Sequence, residues 1–187
     1  MGLADDRTRR TARDKSISKN IVLTGFMGTG KSSVGRILAR RMRRGFVDLD
    51  RYIESSQKRK IRDIFEKDGE AFFRNLEKEA VLFWSQKSDL IITTGGGTVV
   101  DRDNFTALKQ NGILVTLVAR PETVLQRVKN SKNRPLLNEK EDLLAEIRAL
   151  LEKRKSFYDQ SDLFFDTDGQ NGSQVARMIQ KVIESKV

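Results

Sequence analysis

The chain has 187 residues, 37% hydrophobic and 33% charged, and a formal net charge of +10 from 36 Lys and Arg against 26 Asp and Glu. That length suits one domain with an ample core. Because cysteine and histidine are both absent, disulfides, thiolate or imidazole metal ligands and imidazole bases are excluded, and a catalytic base must be Asp, Glu, Lys or Tyr. The positive charge fits a nucleic-acid binder and an enzyme for anionic substrates equally well.

The N-terminal residues 1–19 are rich in arginine but also contain Asp5, Asp6 and Asp14. They lack the apolar core of a secretory signal, and the acidic residues argue against an organellar transit peptide. We predict a flexible basic tail, with a nucleic-acid-binding arm as the alternative. No apolar run reaches the length of a membrane span, so a cytoplasmic location without membrane contact is expected.

From Asn20 onward, short apolar segments alternate with longer segments of helical period. Strands are predicted at 21–24, 46–49, 90–94, 113–118 and 163–167, and helices near 31–43, 61–87, 121–129, 141–158 and 173–185. This alternation predicts a three-layer α/β fold, with a mostly parallel five-stranded sheet and helices on both faces. Right-handed crossovers place the strand C-termini at one edge. No repeat or linker divides residues 20–187, so one domain is expected.

The segment GFMGTGKSS, residues 25–33, follows the first strand and matches the phosphate-binding pattern G-x-x-x-x-G-K-[ST]. Its glycines let the backbone approach an anion, and the N-terminus of the next helix favours negative charge. The pattern predicts that Lys31 reaches the β- and γ-phosphates of a nucleotide and that Ser32 offers a hydroxyl to Mg²⁺. An accidental glycine-rich turn is the alternative. The chain has no Asn-Lys-x-Asp segment of the kind that reads guanine.

A typical Walker B strand of a P-loop protein ends in an acidic residue that helps to hold Mg²⁺. Here the strand at 90–94 ends in Thr93-Thr94. The segment VDLD offers Asp48 and Asp50 instead. If both lie in a strand, their side chains point the same way, one towards metal and one towards an acceptor hydroxyl. Two solvated aspartates that cap the next helix are the alternative.

Two further motifs are expected near the same edge. Arg74 lies within the amphipathic segment 63–81, and because a buried guanidinium needs a partner, Glu70, Glu77 or a ligand carboxylate must satisfy it. The run Gly95-Gly96-Gly97 lets backbone N–H groups meet a small polar ligand at close range. A tight strand-to-helix turn explains the glycines equally well.

The polar segment 128–143 contains one of only two prolines and suits a mobile lid, at about 128–141, that closes on the nucleotide. Arg134 in this segment is placed to lay its guanidinium on the transferring phosphoryl group. An ordinary exposed loop is the alternative. Arg154 lies in a long charged helix and, taken alone, is typical of a surface residue.

Together these motifs resemble the shikimate kinase family. Six segments occur in the order and approximate spacing of that family: GFMGTGKSSVGRILA, FVDLD, DIFEKDGEAFFRNLE, TTGGGTV, NRPLL and KRKSFYDQSD. The resemblance runs from Asn20 to the C-terminus and excludes the basic tail. It implies a P-loop kinase fold with a mobile lid. It also implies transfer of phosphate from ATP to the 3-hydroxyl of shikimate, giving 3-phosphoshikimate and ADP in aromatic amino-acid biosynthesis.

The resemblance also assigns roles on the acceptor side. It implies that Asp50 binds the ring hydroxyls and orients or deprotonates the accepting one. Arg74 and Arg154 grip the shikimate carboxylate, and the backbone of Gly95, Gly96 and Gly97 contacts the substrate hydroxyls.

On the nucleotide side, the resemblance implies that Mg²⁺ is held by Ser32 and, through water, by Asp48. Lys31 and Arg134 join Asp50 as catalytic residues, and Arg127 packs on the adenine. The residues implied to bind ATP are Gly28, Thr29, Gly30, Lys31, Ser32, Ser33, Arg127 and Arg134. The chain departs from the family at one point. The family usually has a glycine shortly after the first helix, whereas here Arg43 and Arg44 come first and the glycine follows only at Gly45.

Two rival functions remain. A gluconate or nucleoside-monophosphate kinase shares the build but not the paired arginines, the D-x-D pair and the three glycines. A regulatory or nucleic-acid-binding P-loop protein would show salt-sensitive affinity for DNA or RNA without acceptor-dependent ATP turnover. The expected partners are therefore ATP and shikimate, without nucleic acid, and the chain is expected to be a monomer.

Overall fold

Five parallel strands in the order β2-β3-β1-β4-β5 form the centre of the fold, as predicted. The computed structural model describes residues 19–129 and 142–186. Within these ranges the elements are β1 (Asn20–Gly25), α1 (Lys31–Met42), β2 (Gly45–Asp48), α2 (Leu49–Gln57), α3 (Ile61–Ser85), β3 (Leu90–Thr93), a 3₁₀ turn (Thr98–Val100), α4 (Arg102–Gln110), β4 (Gly112–Val118), α5 (Pro121–Val128), α6 (Leu143–Tyr158), β5 (Leu163–Asp166) and α7 (Gly172–Ser185).

The sheet separates two hydrophobic cores because successive strand residues point to opposite faces. In β1, Ile21 and Leu23 pack with α1 and α7, whereas Val22 packs in the core that α2, α3 and α4 cover on the other face. All three side chains are fully buried. This alternation produces the predicted three layers. Among the described residues, no helix is both long and apolar enough to cross a membrane.

The region after β2 differs from the prediction. The strand ends at Asp48, and Asp50 lies in the first turn of α2, so the two carboxylates do not alternate along one strand. Asp48 ends the strand because its side chain caps the helix, accepting a hydrogen bond from the backbone N–H of Arg51 at 3.2 Å. The capping role weighed as the alternative for this pair is therefore confirmed for Asp48.

The helix predicted at 61–87 is interrupted. Gly69 has a φ of 83° and divides α3 into two helical segments. The helices α2 and α4, of nine residues each, were not predicted. α1 ends at Met42, and Arg43 directly after it has the left-handed conformation, with a φ of 55°, where the family usually has a glycine nearby. Arg134 and most of the predicted lid lie outside the described residues.

Candidate active site

The loop between β1 and α1 has the backbone that the phosphate-binding pattern predicts. Gly25, Gly28 and Gly30 have φ values of 126°, 78° and 91°, in the region that favours glycine. At Gly25 a side chain is also excluded sterically, because a Cβ would lie 2.3 Å from the carbonyl oxygen of Leu117. The backbone is thereby free to wrap round an anion at the start of α1.

Lys31 is held against this loop. Its Nζ donates to the carbonyl oxygens of Gly25 and Phe26, each at 2.8 Å, and the side chain is largely buried. The hydroxyl of Thr29 also donates to the Phe26 carbonyl oxygen at 2.8 Å. A cation is thus fixed at the mouth of the loop, where a nucleotide phosphate would enter.

A cavity of about 560 Å³ opens beside the loop, at the C-terminal ends of β1, β2 and β3. Its walls come from parts of the chain that the sequence places far apart: the phosphate-binding loop, the helices α2 and α3, the segment after β3, and one arginine each from α5 and α6. Among the predicted site residues that line it are Gly28, Gly30, Lys31, Ser32, Ser33, Asp50, Arg74, Gly95, Gly96, Gly97, Arg127 and Arg154. A volume of this size suits a small-molecule site.

Asp50 lies half-buried in the wall of this cavity. A Cβ built on Gly95 would lie 2.9 Å from its Oδ1, so the glycine is needed for the carboxylate to approach the segment after β3. Burial, followed by the negative charges of Asp48 and Glu77, raises the pKa of Asp50 to about 7, while Lys31 opposes the shift. A carboxylate with such a pKa can accept a proton near neutral pH.

Arg74 is held by two acidic residues of its own helix, both of them the partners that the sequence suggested. Its Nη1 donates to Glu77 Oε2 at 2.7 Å, and its Nη2 and Nε donate to Glu70 Oε1 at 2.9 and 3.2 Å. Glu77 is buried, with 1% of its surface exposed, whereas Glu70 is more than half exposed. One partner therefore fixes the guanidinium and the other faces water.

Arg154 is buried, which contradicts the surface position expected from its charged helix alone. Its Nη1 donates to the Gly96 carbonyl oxygen at 3.0 Å, and its guanidinium lies 5.7 Å from the centre of the Phe26 ring. A Cβ on Gly97 would lie 3.2 Å from Arg74 Nη2 and 3.5 Å from Arg154 Nη2. The two guanidinium groups thus converge on one glycine at the cavity wall.

Tyr158 is a site residue to which the sequence gave no role. Its hydroxyl donates to the Gly96 carbonyl oxygen at 2.5 Å, the same oxygen that Arg154 contacts. The signal was present as the spacing R-x-x-x-Y, which puts both side chains on one helix face. The carbonyl and the N–H of a trans peptide point in opposite directions. The two hydrogen bonds to the Gly96 carbonyl therefore direct the N–H of Gly97 away from α6.

Arg127 connects the phosphate-binding loop with the turn after β5. It donates to the Gly28 carbonyl oxygen at 3.2 Å, and to the hydroxyl and carbonyl oxygens of Thr167 at 2.9 and 2.7 Å. The predicted contact with adenine stays a prediction, since these bonds describe only protein partners.

The proposed metal ligands belong to two different elements. Ser32 lies in the first turn of α1 and lines the cavity. Asp48 lies at the end of β2 and uses its carboxylate to cap α2. In the ranges 19–129 and 142–186 no group of three or more acidic side chains forms a metal cluster. A metal here would therefore depend on ligands from a nucleotide as well as from the protein.

The parallel sheet, the phosphate-binding loop and the adjoining acceptor cavity define a P-loop kinase for a small molecule. The model of the family described as shikimate kinase matches residues 27–184. The chain belongs to the shikimate kinase family, whose members phosphorylate shikimate with ATP, and it is an enzyme of that kind.

Individual relatives agree with this assignment. The chain is 45% identical over 161 residues to the shikimate kinase of Pelotomaculum thermopropionicum, a match that covers 86% of this chain and 93% of the relative. It is 43% identical over 161 residues to that of Caldanaerobacter subterraneus subsp. tengcongensis, covering 86% and 94%. Among solved structures, shikimate kinase from Acinetobacter baumannii in complex with shikimate is similar with a TM-score of 0.87 and 37% identity, covering 90% and 94%. The Aquifex aeolicus enzyme has a TM-score of 0.78 and 35% identity, covering 89% and 97%.

Proposed function

We propose that the cavity binds shikimate next to ATP, and that the γ-phosphoryl group passes to the 3-hydroxyl of shikimate. The observation that carries this choice of acceptor is the convergence of Arg74 and Arg154 on Gly97. Two guanidinium groups at one point suit a planar carboxylate, because each can present parallel N–H donors. Shikimate offers one carboxylate on a ring of hydroxyls, so a grip at this point turns the hydroxyls towards the loop.

Asp50 then meets the accepting hydroxyl. It lies on the wall between the glycine segment and Lys31, where it can bind a ring hydroxyl and orient it towards the phosphate. With a pKa of about 7 it is partly ionised at neutral pH and able to take the hydroxyl proton. In a loose phosphoryl-transfer transition state that proton leaves late, so positioning contributes more than base strength.

Lys31 and the loop backbone act on the phosphates. Developing negative charge on the transferred group is stabilised by the lysine ammonium and by the N–H groups at the start of α1. Since Lys31 already lies at the loop mouth through two carbonyl contacts, little reorganisation is needed. The resemblance adds Arg134 as a further cation from the lid.

ATP is the co-substrate of this family, and Mg²⁺ is proposed to accompany it. The hydroxyl of Ser32 and the carboxylate of Asp48, the latter through water, would hold the ion. All of these ligands are oxygens, which Mg²⁺ prefers, and both residues lie at the loop edge of the sheet. When bound, the ion neutralises phosphate charge.

Three further features stay predictions. They are a single kinase domain at 20–187 preceded by a flexible tail at 1–19, a monomeric state, and a cytoplasmic location. Size-exclusion chromatography with light scattering tests the monomer directly, because a dimer would elute at twice the mass of the chain.

The acceptor is tested by ADP release from MgATP with shikimate, quinate or gluconate as the second substrate. We expect turnover to require shikimate and to be at least about tenfold slower with the other two, which place their hydroxyls differently around the carboxylate. Equal turnover with gluconate would favour the rival sugar-acid kinase. Turnover that no acceptor stimulates would contradict the proposal.

Replacing Gly97 by alanine tests the point of convergence. The added methyl group would lie within 3.2–3.5 Å of nitrogens of both arginines, in the space that we assign to the carboxylate. We expect KM for shikimate to rise about tenfold, a loss of roughly 1.4 kcal/mol, while KM for ATP stays unchanged.

The matched control is Gly172→Ala at the start of α7, where the methyl group meets the flexible end of the Ile37 side chain. It should change neither constant. An equal rise of KM for ATP in Gly97→Ala would show that the methyl group disturbs the whole site and not the acceptor position.

A further inference from the structure

Thr98 carries a buried hydroxyl that the proposed mechanism leaves without a role. It begins the 3₁₀ turn directly after Gly97 and is fully buried. Its Oγ1 donates to Glu77 Oε1 at 2.6 Å, which links the glycine segment to α3. Valine has nearly the same shape, so packing alone does not require the hydroxyl at this position.

Glu77 divides its two carboxylate oxygens between Thr98 and Arg74. Oε1 accepts from the Thr98 hydroxyl, and Oε2 accepts from Arg74 Nη1 at 2.7 Å. The carboxylate is almost completely buried, where an ionised group is stable only if its oxygens are hydrogen-bonded. The bond from Thr98 therefore fixes the orientation in which Glu77 meets Arg74.

The other side of Thr98 is anchored as well. Its carbonyl oxygen accepts from Asn104 Nδ2 at 3.2 Å, and α4, which carries Asn104, is capped by Asp101. A Cβ on Gly95 would lie 3.1 Å from both Glu77 Oε1 and Thr98 Oγ1. The pair thus lies directly beside the glycine segment, and the backbone of Thr98 is also hydrogen-bonded to α4.

Arg74 has an alternative partner in Glu70, which is more than half exposed. If Glu77 loses its hydrogen bond from Thr98, the buried carboxylate has to reorient to recover a donor. The guanidinium of Arg74 then turns towards Glu70 and water, and away from Gly97. The strength of the substrate grip depends in this way on a hydroxyl that does not line the cavity.

We propose that Thr98 is a positioning residue for shikimate binding, acting through Glu77 to keep the Arg74 guanidinium directed at Gly97. The inference rests on the proposed function, since it assigns Arg74 to the shikimate carboxylate. The role concerns the acceptor side of the site and not ATP binding, because neither Glu77 nor Thr98 contacts the phosphate-binding loop through a hydrogen bond in the described residues.

Steady-state kinetics of Thr98→Val, Thr98→Ser and Thr116→Val test the role. Thr98→Val should raise KM for shikimate about tenfold, because the unpaired oxygen of Glu77 reorients and turns the Arg74 guanidinium away from Gly97, and it should leave KM for ATP unchanged. Thr98→Ser keeps the hydroxyl and should stay within about twofold of the unaltered chain. Thr116→Val removes another fully buried hydroxyl, bonded to Ser161, and should change neither constant.

A double-mutant cycle with Arg74→Lys tests whether Thr98 acts through Arg74. Because Thr98 acts through Arg74, the valine substitution should add less than about twofold in the lysine background. A tenfold rise of KM in both backgrounds would contradict the action of Thr98 through Arg74, and so would an unchanged KM in Thr98→Val. Should the valine variant not fold, Thr98→Ala and Thr98→Ser give the same comparison. Absence of shikimate turnover in the unaltered chain would overturn the proposed function itself, and the role of Thr98 with it.

Discussion

Replacing Arg74 by lysine is expected to lower kcat/KM for shikimate by about 10²–10³-fold, a loss of roughly 3–4 kcal/mol. An ammonium at this position would stay paired with the buried Glu77, which lies 2.7 Å from the present guanidinium. The lysine would have no second pair of N–H groups for a ligand carboxylate, because only arginine presents parallel donors. The charge is conserved, so a general electrostatic effect does not account for such a loss.

The measurement is the full set of steady-state constants for both substrates. We expect KM for shikimate to carry most of the change and KM for ATP to stay within about twofold. Arg148→Lys is the matched control, since that arginine also pairs with a carboxylate, Glu122 at 2.7 Å, but is more than half exposed. It should behave like the unaltered chain. Equal losses in the two lysine variants would contradict the carboxylate grip.

Replacing Asp50 by asparagine is expected to lower kcat by about 10²–10⁴-fold, the range for loss of a positioned acid–base group. The amide keeps the size and can still hydrogen-bond a hydroxyl, but it cannot accept the proton. In the unaltered enzyme, kcat/KM should rise with pH and level off above the pKa of about 7. The residual activity of the variant should lack this rise.

The same substitution should stabilise the ligand-free protein at alkaline pH. The pKa of Asp50 is raised on folding, from 3.8 to about 7, so the folded state retains a proton that the unfolded chain releases. Stability therefore falls as pH rises from about 4 to about 7, and above that range the ionised carboxylate costs its full penalty. Because Asp50 is only half-buried, we expect Asp50→Asn to gain about 1–3 kcal/mol at pH 8.

Thermal unfolding at pH 8 and pH 5 checks this sign. A gain of 1–3 kcal/mol corresponds to a rise in Tm of roughly 2–12 °C at this chain length, and it should shrink as pH falls towards 4. Asp103→Asn is the control, because that aspartate is exposed and should show no such dependence. A variant less stable than the parent at pH 8 would contradict the conclusion that the ionised Asp50 carboxylate destabilises the folded protein.

Much of the fold could be predicted because the strands are uninterrupted apolar segments. The strand predicted at 113–118 is β4 at Gly112–Val118, within one residue. The helices α2 and α4 were missed because nine residues are fewer than the window of about 11 over which a helical period is judged. Asp48 and Asp50 were expected to alternate at the mouth of a strand, because the sequence alone did not decide between this arrangement and the capping of a helix by Asp48.

The candidate site could be predicted where short spacing encodes the contact. The loop glycines and the pairs of Arg74 with Glu70 and Glu77 follow from local patterns. Arg154 could not be placed from its own helix, because its burial results from packing against Phe26 and Gly96. The bond between Thr98 and Glu77 joins residues 21 positions apart, and no local pattern predicts it.

The central claim is that one carboxylate held between Arg74 and Arg154 places a hydroxyl before Asp50. The most direct test compares kcat/KM for shikimate with that for its carboxamide, which has the same ring and hydroxyls but no charge. We predict a fall of about 10²–10³-fold for the carboxamide, because the buried Arg154 and the partly exposed Arg74 both lose the substrate's anionic group. A carboxamide phosphorylated as well as shikimate would contradict the account, and would show that the ring hydroxyls alone position the acceptor.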